Sequence, residues 1–255
     1  MPPKKSVDTG DRCKALIYGG YNAGKTRFLG TAAEDERLTP FFLFDFEGGT
    51  KTLDGMPGFA KLENVTDPIP SGARFVAARV RDWDDFNEGF QRMLTNDEGW
   101  KGCGLDSASE VHNYAIETIV EGEADRRKSV DSVEQQDYGK ALIQLRRLVR
   151  EFRDLPLHFF CTAHGKEITH AQRGMIVVPN LYGKGAFEIP GLLETVGYMA
   201  QMQDEGKEYR SLLLRNYPKL DLKVRTAWGI EAPEEIDNPT MTLLLGSTRL
   251  QVLDE

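Results

Sequence analysis

The chain has 255 residues, 40% hydrophobic and 28% charged, with a formal net charge of −8. That length supports a sizeable core, and the composition excludes a fibrous or wholly disordered chain. The acidic balance confines any nucleic-acid binding to a local basic patch. Cys13, Cys103 and Cys161 are far apart and odd in number, which predicts reduced thiols rather than a disulfide framework or a metal cage.

In chain order, residues 1–12 read as a flexible arm. Their "MPPKKSVDTGDR" lacks the apolar stretch of a secretory signal. "CKALIYGG" reads as a short buried strand running into a glycine turn. "KTRFLGTAAEDERL" is the expected following helix, with Pro40 at the next boundary. "FFLFDFE" (Phe41 to Glu47) is a strand apolar on both faces, as in a parallel sheet covered by helices. The glycine-rich "GGTKTLDGMPG" is expected to be a loop, and "RFVAARV" (Arg74 to Val80) a third strand. Asp82 is placed to cap the helix "WDDFNEGFQRML". "CGLDSAS" is a weak strand ending at Asp106, and the polar segment 120–137 reads as a loop.

"YGKALIQLRRLVREFRDL" carries Leu142, Leu145, Leu148, Val149 and Phe152 on one helical face, and Pro156 ends it. "LHFFCTAH" is the next strand. The texture then turns to β, with a hairpin signal at Asp204, Glu205 and Gly206. The expected fold is α/β: a mainly parallel twisted sheet flanked by helices, with antiparallel β-hairpins towards the C-terminus. The core is expected over 13–230, with 231–255 as an extension. No run reaches the roughly 18 apolar residues of a membrane span, so the expectation is a cytoplasmic protein with no membrane partner.

Gly19, Gly20, Tyr21, Asn22, Ala23, Gly24, Lys25 and Thr26 match G-x-x-x-x-G-K-[ST], between an apolar strand and a helix. Glycines let the backbone wrap closely enough to aim N–H groups at phosphate oxygens, and the helix start favours anions. Lys25 is placed for the β- and γ-phosphates of ATP, and the Thr26 hydroxyl for Mg²⁺. Asp45, Glu47 and Asp106 are the strand-end acids. By hydrophobicity alone Asp45, behind four apolar residues, looks more like the magnesium-side acid.

With "GGYNAGKT", "DFEGG" and "LDSAS" in this order, the chain resembles the RecA/KaiC superfamily of ATPases. The resemblance implies a RecA-like fold, with Glu47 as the base that activates water and Asp106 as the magnesium partner. It implies that His164, ending "FFCTAH", senses the γ-phosphate. It also implies that Lys223 and Arg225, the K-x-R of "DLKVRTAW", reach the phosphate of a neighbouring subunit in a homo-oligomer.

"CTAHGKE", "PNLYGKGAFEIP" and "KVRT" extend the resemblance to small phage-encoded RecA-like ATPases that anneal or recombine single-stranded DNA. In that group two loops face DNA. Here the first would carry Arg126, Arg127 and Lys128; the second would carry Lys166, Arg173, Tyr182, Lys184 and Phe187. Cations track phosphates and aromatic rings stack on bases. The implied partners are single-stranded DNA and a single-strand-binding protein, in a bacterial host. The alternative is a KaiC-like regulatory or assembly ATPase with a protein partner. A small-molecule kinase is weaker, because neither a lid nor an acceptor site is evident.

Overall fold

The computed structural model describes residues 12–122, 133–226 and 229–248. Among these, eleven strands form one sheet. Seven run parallel: β1 (Lys14–Gly19), β2 (Phe41–Asp45), β3 (Phe59–Leu62), β4 (Phe75–Arg79), β5 (Gly102–Asp106), β6 (His158–His170) and β8 (Thr195–Asp204). Their order is β8-β1-β6-β5-β2-β4-β3. Antiparallel additions lie at the end that comes late in the chain. β7 (Gly174–Pro179) folds back on β6, while β9 (Lys207–Leu213) and β10 (Lys223–Val224) pair with β8. β11 (Glu235–Asp237) closes the edge against β9. This is the expected α/β architecture.

Every residue of β1, β2 and β5 is buried, because helices cover both faces. The strand alternation sorts the side chains between two cores. Leu16, Tyr18, Phe42 and Phe44 face α2 (Trp83–Thr95), α3 (Ala108–Gly122) and α4 (Gln135–Asp154). Ala15, Ile17, Phe41 and Leu43 face α1 (Lys25–Gly30) and α6 (Met241–Thr248). Asp82 caps α2 by accepting from Asp85 N at 2.8 Å. α4 buries Leu145, Leu148, Val149 and Phe152, and Leu142 packs at the margin. Its end is bound by Lys14, whose ammonium donates to Phe152 O at 3.4 Å in the last turn and, just beyond the helix, to Leu155 O at 2.8 Å and to Leu157 O. Burial lowers the Lys14 pKa to about 8.

Several boundaries differ from the sequence reading. The helix after the glycine turn is only six residues, then tightens into a 3₁₀ turn over Thr31–Glu34. β3 sits just past the expected loop. The segment 165–190, within which the second DNA-facing loop was expected, is largely regular: the β texture expected over 167–179 is a hairpin of β6 and β7, followed by α5 (Gly185–Leu192). β6 extends past the expected strand end because Gly165 to His170 find antiparallel partners in β7. The β8–β9 hairpin turns at Glu205 and Gly206, both at positive φ, a two-residue turn that matches strand twist.

Residues 231–248, expected as an extension, are built into the same sheet and core. β11 pairs with β9, and Met241, Leu244 and Leu245 of α6 are buried. Leu244→Ala should therefore cost about 2–4 kcal/mol in a single unfolding transition followed by denaturant. A separate extension would leave the main transition unmoved.

Candidate nucleotide site

Strand register brings the chemistry to one edge of the sheet. Gly19 pairs with His164, Asp45 with Asp106 and Asp45 with Arg79. These are the C-terminal tips of neighbouring parallel strands, where open α/β sheets bind ligands.

The loop 19–26 leaves β1 through Gly19. A Cβ there would meet the Met199 carbonyl oxygen at 2.5 Å, so only glycine lets β8 lie this close. Gly24 holds φ of 96° at the start of α1, again a glycine conformation. Lys25 folds back over the loop and donates to Gly20 O at 2.8 Å and Gly19 O at 3.2 Å. Burial lowers its pKa, opposed by the negative charges of Glu47 and Asp106. Arg210 of β9 packs against Gly24 and donates to Asn22 O at 3.4 Å. A cavity of about 1230 Å³ runs along the loop past Glu47, His164, Arg210, Asn238 and Thr240, large enough for a nucleotide.

Asp106 is buried at the tip of β5. Oδ2 accepts from Thr26 Oγ at 2.6 Å, and Oδ1 accepts from the Thr162 hydroxyl of β6. Burial raises its pKa, and the two hydroxyls act against that rise. Thr26 and Asp106 thus present two hard oxygen donors side by side at the phosphate end of the loop. That suits Mg²⁺ held jointly with nucleotide phosphates better than an all-protein cage. The described residues contain no group of three or more His, Cys, Asp or Glu placed to hold a metal.

Asp45 has a different role. Oδ1 accepts from Gly48 N at 2.7 Å and Gly49 N at 3.3 Å, and Oδ2 from Thr50 Oγ at 3.0 Å. It organises the turn that carries Glu47. Glu47 Oε1 in turn accepts from the Ser107 hydroxyl and lies 3.0 Å from His164 Nε2. Burial alone would raise the Glu47 pKa. The hydrogen bonds from His164 and Ser107, with nearby positive charge, outweigh it and hold the carboxyl low. The expected base and the expected phosphate sensor are thus joined in one pair. Tyr21 lies over the His164 ring at 4.6 Å between centroids.

The other sequence candidates fall in different places. Lys223 in β10 pairs with Val196, which pairs with Leu16, so it sits roughly 10 Å down the sheet from Gly19. Its ammonium donates to Gly191 O at 2.9 Å, and Arg225 is exposed. Lys166 donates to Leu181 O and lies 6.0 Å from the Tyr182 ring. Arg173 donates to Pro218 O at 2.8 Å and to Asp221 Oδ1 at 3.1 Å. Its guanidinium clasps the 218–221 turn instead of standing free. Tyr182, Lys184 and Phe187 are exposed together. Arg126, Arg127 and Lys128 lie outside the described residues.

Sequence reasoning missed Ser107, Thr162 and Arg210. Thr162 was visible as a polar residue ending an apolar strand. The other two are assigned only by distant chain segments meeting.

A glycine-rich loop with a buried lysine, a Thr–Asp oxygen pair and a positioned glutamate define a P-loop nucleotide site. The family model described as AAA domain matches residues 11–226, and the chain belongs to that family. Among solved structures, a KaiC-like protein from the hyperthermophilic archaeon Pyrococcus horikoshii aligns with 16% identity and a TM-score of 0.44. The alignment covers 79% of this chain and 77% of that one. No curated protein matches the sequence. Among the described residues, no helix is long and apolar enough to cross a membrane.

A histidine next to the site sets a pH dependence. His112 of α3 is buried beside Lys166 and accepts from Tyr182 N at 3.4 Å. Burial, with the Lys166 charge, lowers its pKa to about 4 from 6.5. The unfolded chain therefore takes up this proton first as pH falls. Stability should drop between pH 6.5 and about 4, by on the order of 3 kcal/mol at full titration. In His112→Leu the denaturation midpoint should show that much less pH dependence over the same window.

Proposed function

We propose that the protein is a magnesium-dependent ATPase that acts on single-stranded DNA in annealing or recombination, of the small RecA-like kind that phages encode. The observation that carries this reading is a connected path from the nucleotide site to an exposed basic and aromatic surface. His164 N donates to Ser109 Oγ at 3.2 Å, and Ser109 Oγ donates to Asn180 O at 3.0 Å. Asn180 N donates back to His164 O at 2.7 Å. Two residues on stands Tyr182, followed by Lys184 and Phe187, exposed by 45% at Tyr182 and 42% at Phe187. Exposed rings beside cations suit stacked bases and phosphates.

In this reading Glu47 takes the proton of the water that attacks the γ-phosphorus, and ADP leaves as the β–γ bond breaks. His164 orients Glu47. Lys25 gives up its loop carbonyls for the phosphates. Thr26 and Asp106 would hold magnesium, which would supply charge neutralisation for the transferred phosphoryl group. In the same reading Lys223 and Arg225 serve a neighbouring copy, and the position of their strand away from the loop of their own chain supports this. A single-strand-binding protein is the natural companion on the same DNA.

Lys25→Ala should abolish hydrolysis. Glu47→Gln should keep nucleotide binding while lowering turnover by on the order of 10²–10⁴; normal turnover in that variant would remove Glu47 from the role. Single-stranded DNA should stimulate ATPase activity and shift in a native gel with ATP and magnesium at low salt, where phosphate contacts are strongest. Absence of both effects would overturn the DNA reading and favour a protein partner.

A further inference from the structure

Tyr21, Glu47 and His164 line the nucleotide cavity on one side and a second cavity of about 470 Å³ on the other. The second cavity lies between the start of α3, the tips of β2 and β4, and the segment after β7. The reaction outlined above leaves it without a role. We propose that it is a seat for one unstacked nucleobase of a single strand, a reading that rests on the DNA function proposed above.

The lining supports a base over other occupants. Tyr21, Tyr114 and Tyr182 supply aromatic surface, and Phe46 backs Tyr114 edge-on at 5.6 Å. Around them lie the Asn180 carboxamide, the Arg79 guanidinium and the Asn113 carboxamide, whose Nδ2 donates to Glu110 Oε1 at 3.1 Å and whose oxygen is left as an acceptor. Arg79 Nη1 is buried without a hydrogen-bond partner; its nearest acid, Asp45, is at 3.8 Å, beyond hydrogen-bond reach. Rings that stack combined with groups that read a polar edge are how proteins hold splayed bases. A phosphate fits less well. Glu47 and Glu110 face the same space as Arg79, so the cavity carries no surplus of positive charge. The volume lies in the range of small-ligand pockets.

The position gives the seat a consequence. Its wall includes Tyr21, in tilted contact with the His164 ring, and Asn180, bonded to the His164 backbone. A base entering there presses on the two neighbours of the Glu47–His164 pair. Occupancy of the seat is thereby sensed by the group that activates water.

The test uses the full chain, with ATP and magnesium, and two matched oligonucleotides. One carries a fluorescent purine analogue, and the other carries abasic sites in its place. The base-bearing strand should bind about 5- to 150-fold more tightly than the abasic strand, with a saturable change in analogue fluorescence. It alone should stimulate hydrolysis. Asn113→Ala should reduce the affinity and the stimulation by about 10-fold, leaving DNA-independent hydrolysis unchanged. Equal binding and stimulation by both strands would overturn the seat while leaving the DNA function standing. No binding of either strand at low salt would overturn the DNA function itself. If Asn113→Ala instead weakens self-association without DNA, the cavity belongs to an interface between copies, and the seat is again overturned.

Discussion

The site depends on one buried carboxylate. Asp106 sits in the middle of the sheet, where an unpaired charge would be costly. It is held by a hydroxyl from the phosphate loop and a hydroxyl from β6. Those two bonds tie three chain segments, residues 26, 106 and 162, into a fixed triangle. The loop cannot shift relative to β5 without leaving a buried acid unsatisfied. The cradle is therefore shaped before nucleotide arrives, and less ordering is lost on binding.

Around that triangle the site divides the work between two kinds of acid. Asp45 is consumed by local backbone, and its bonds to the turn set the height and direction of Glu47. Glu47 is left with contacts that come from remote strands, Ser107 and His164. A carboxylate that is positioned yet not saturated is the arrangement a water-activating base requires. The lysine follows the same logic. Its carbonyl partners are weak competitors for phosphate, so its low charge stabilisation in the free loop favours exchange to a nucleotide.

The parts legible in the sequence were those governed by local chemistry. The phosphate loop, the Asp82 cap and the Glu205–Gly206 turn each depend on residues within a few positions. The double-sided apolar run of "FFLFDFE" announced a covered parallel sheet for the same reason. β5 was harder, because "GWKGCGL" has little strand propensity; burial between β2 and β6 overrides it. The helix α5 was hidden by its glycines and Pro190. The Glu47–His164 pair joins residues 117 positions apart, and Arg210 reaches Asn22 across 188. A resemblance suggested that Glu47 and His164 both serve the phosphate, but not that they touch. The setting of Arg173 was hidden for a similar reason: the sequence shows a cation in the segment, and only the folded turn at 218–221 shows the carbonyls and the Asp221 carboxylate that its guanidinium meets.

β6 has a mechanical consequence. It is a single strand that carries Thr162, bonded to Asp106, and His164, paired with Glu47, and runs unbroken to His170 at the far end of its hairpin. The six residues beyond His164 extend roughly 20 Å, stiffened by pairing with β7. Such an element behaves as a lever whose fulcrum lies at the Glu47–His164 pair. A small tilt at His164 is magnified at the hairpin tip, and a load on the tip is returned to the fulcrum. The hairpin is thus an arm rigidly coupled to the site, and its length sets the gain.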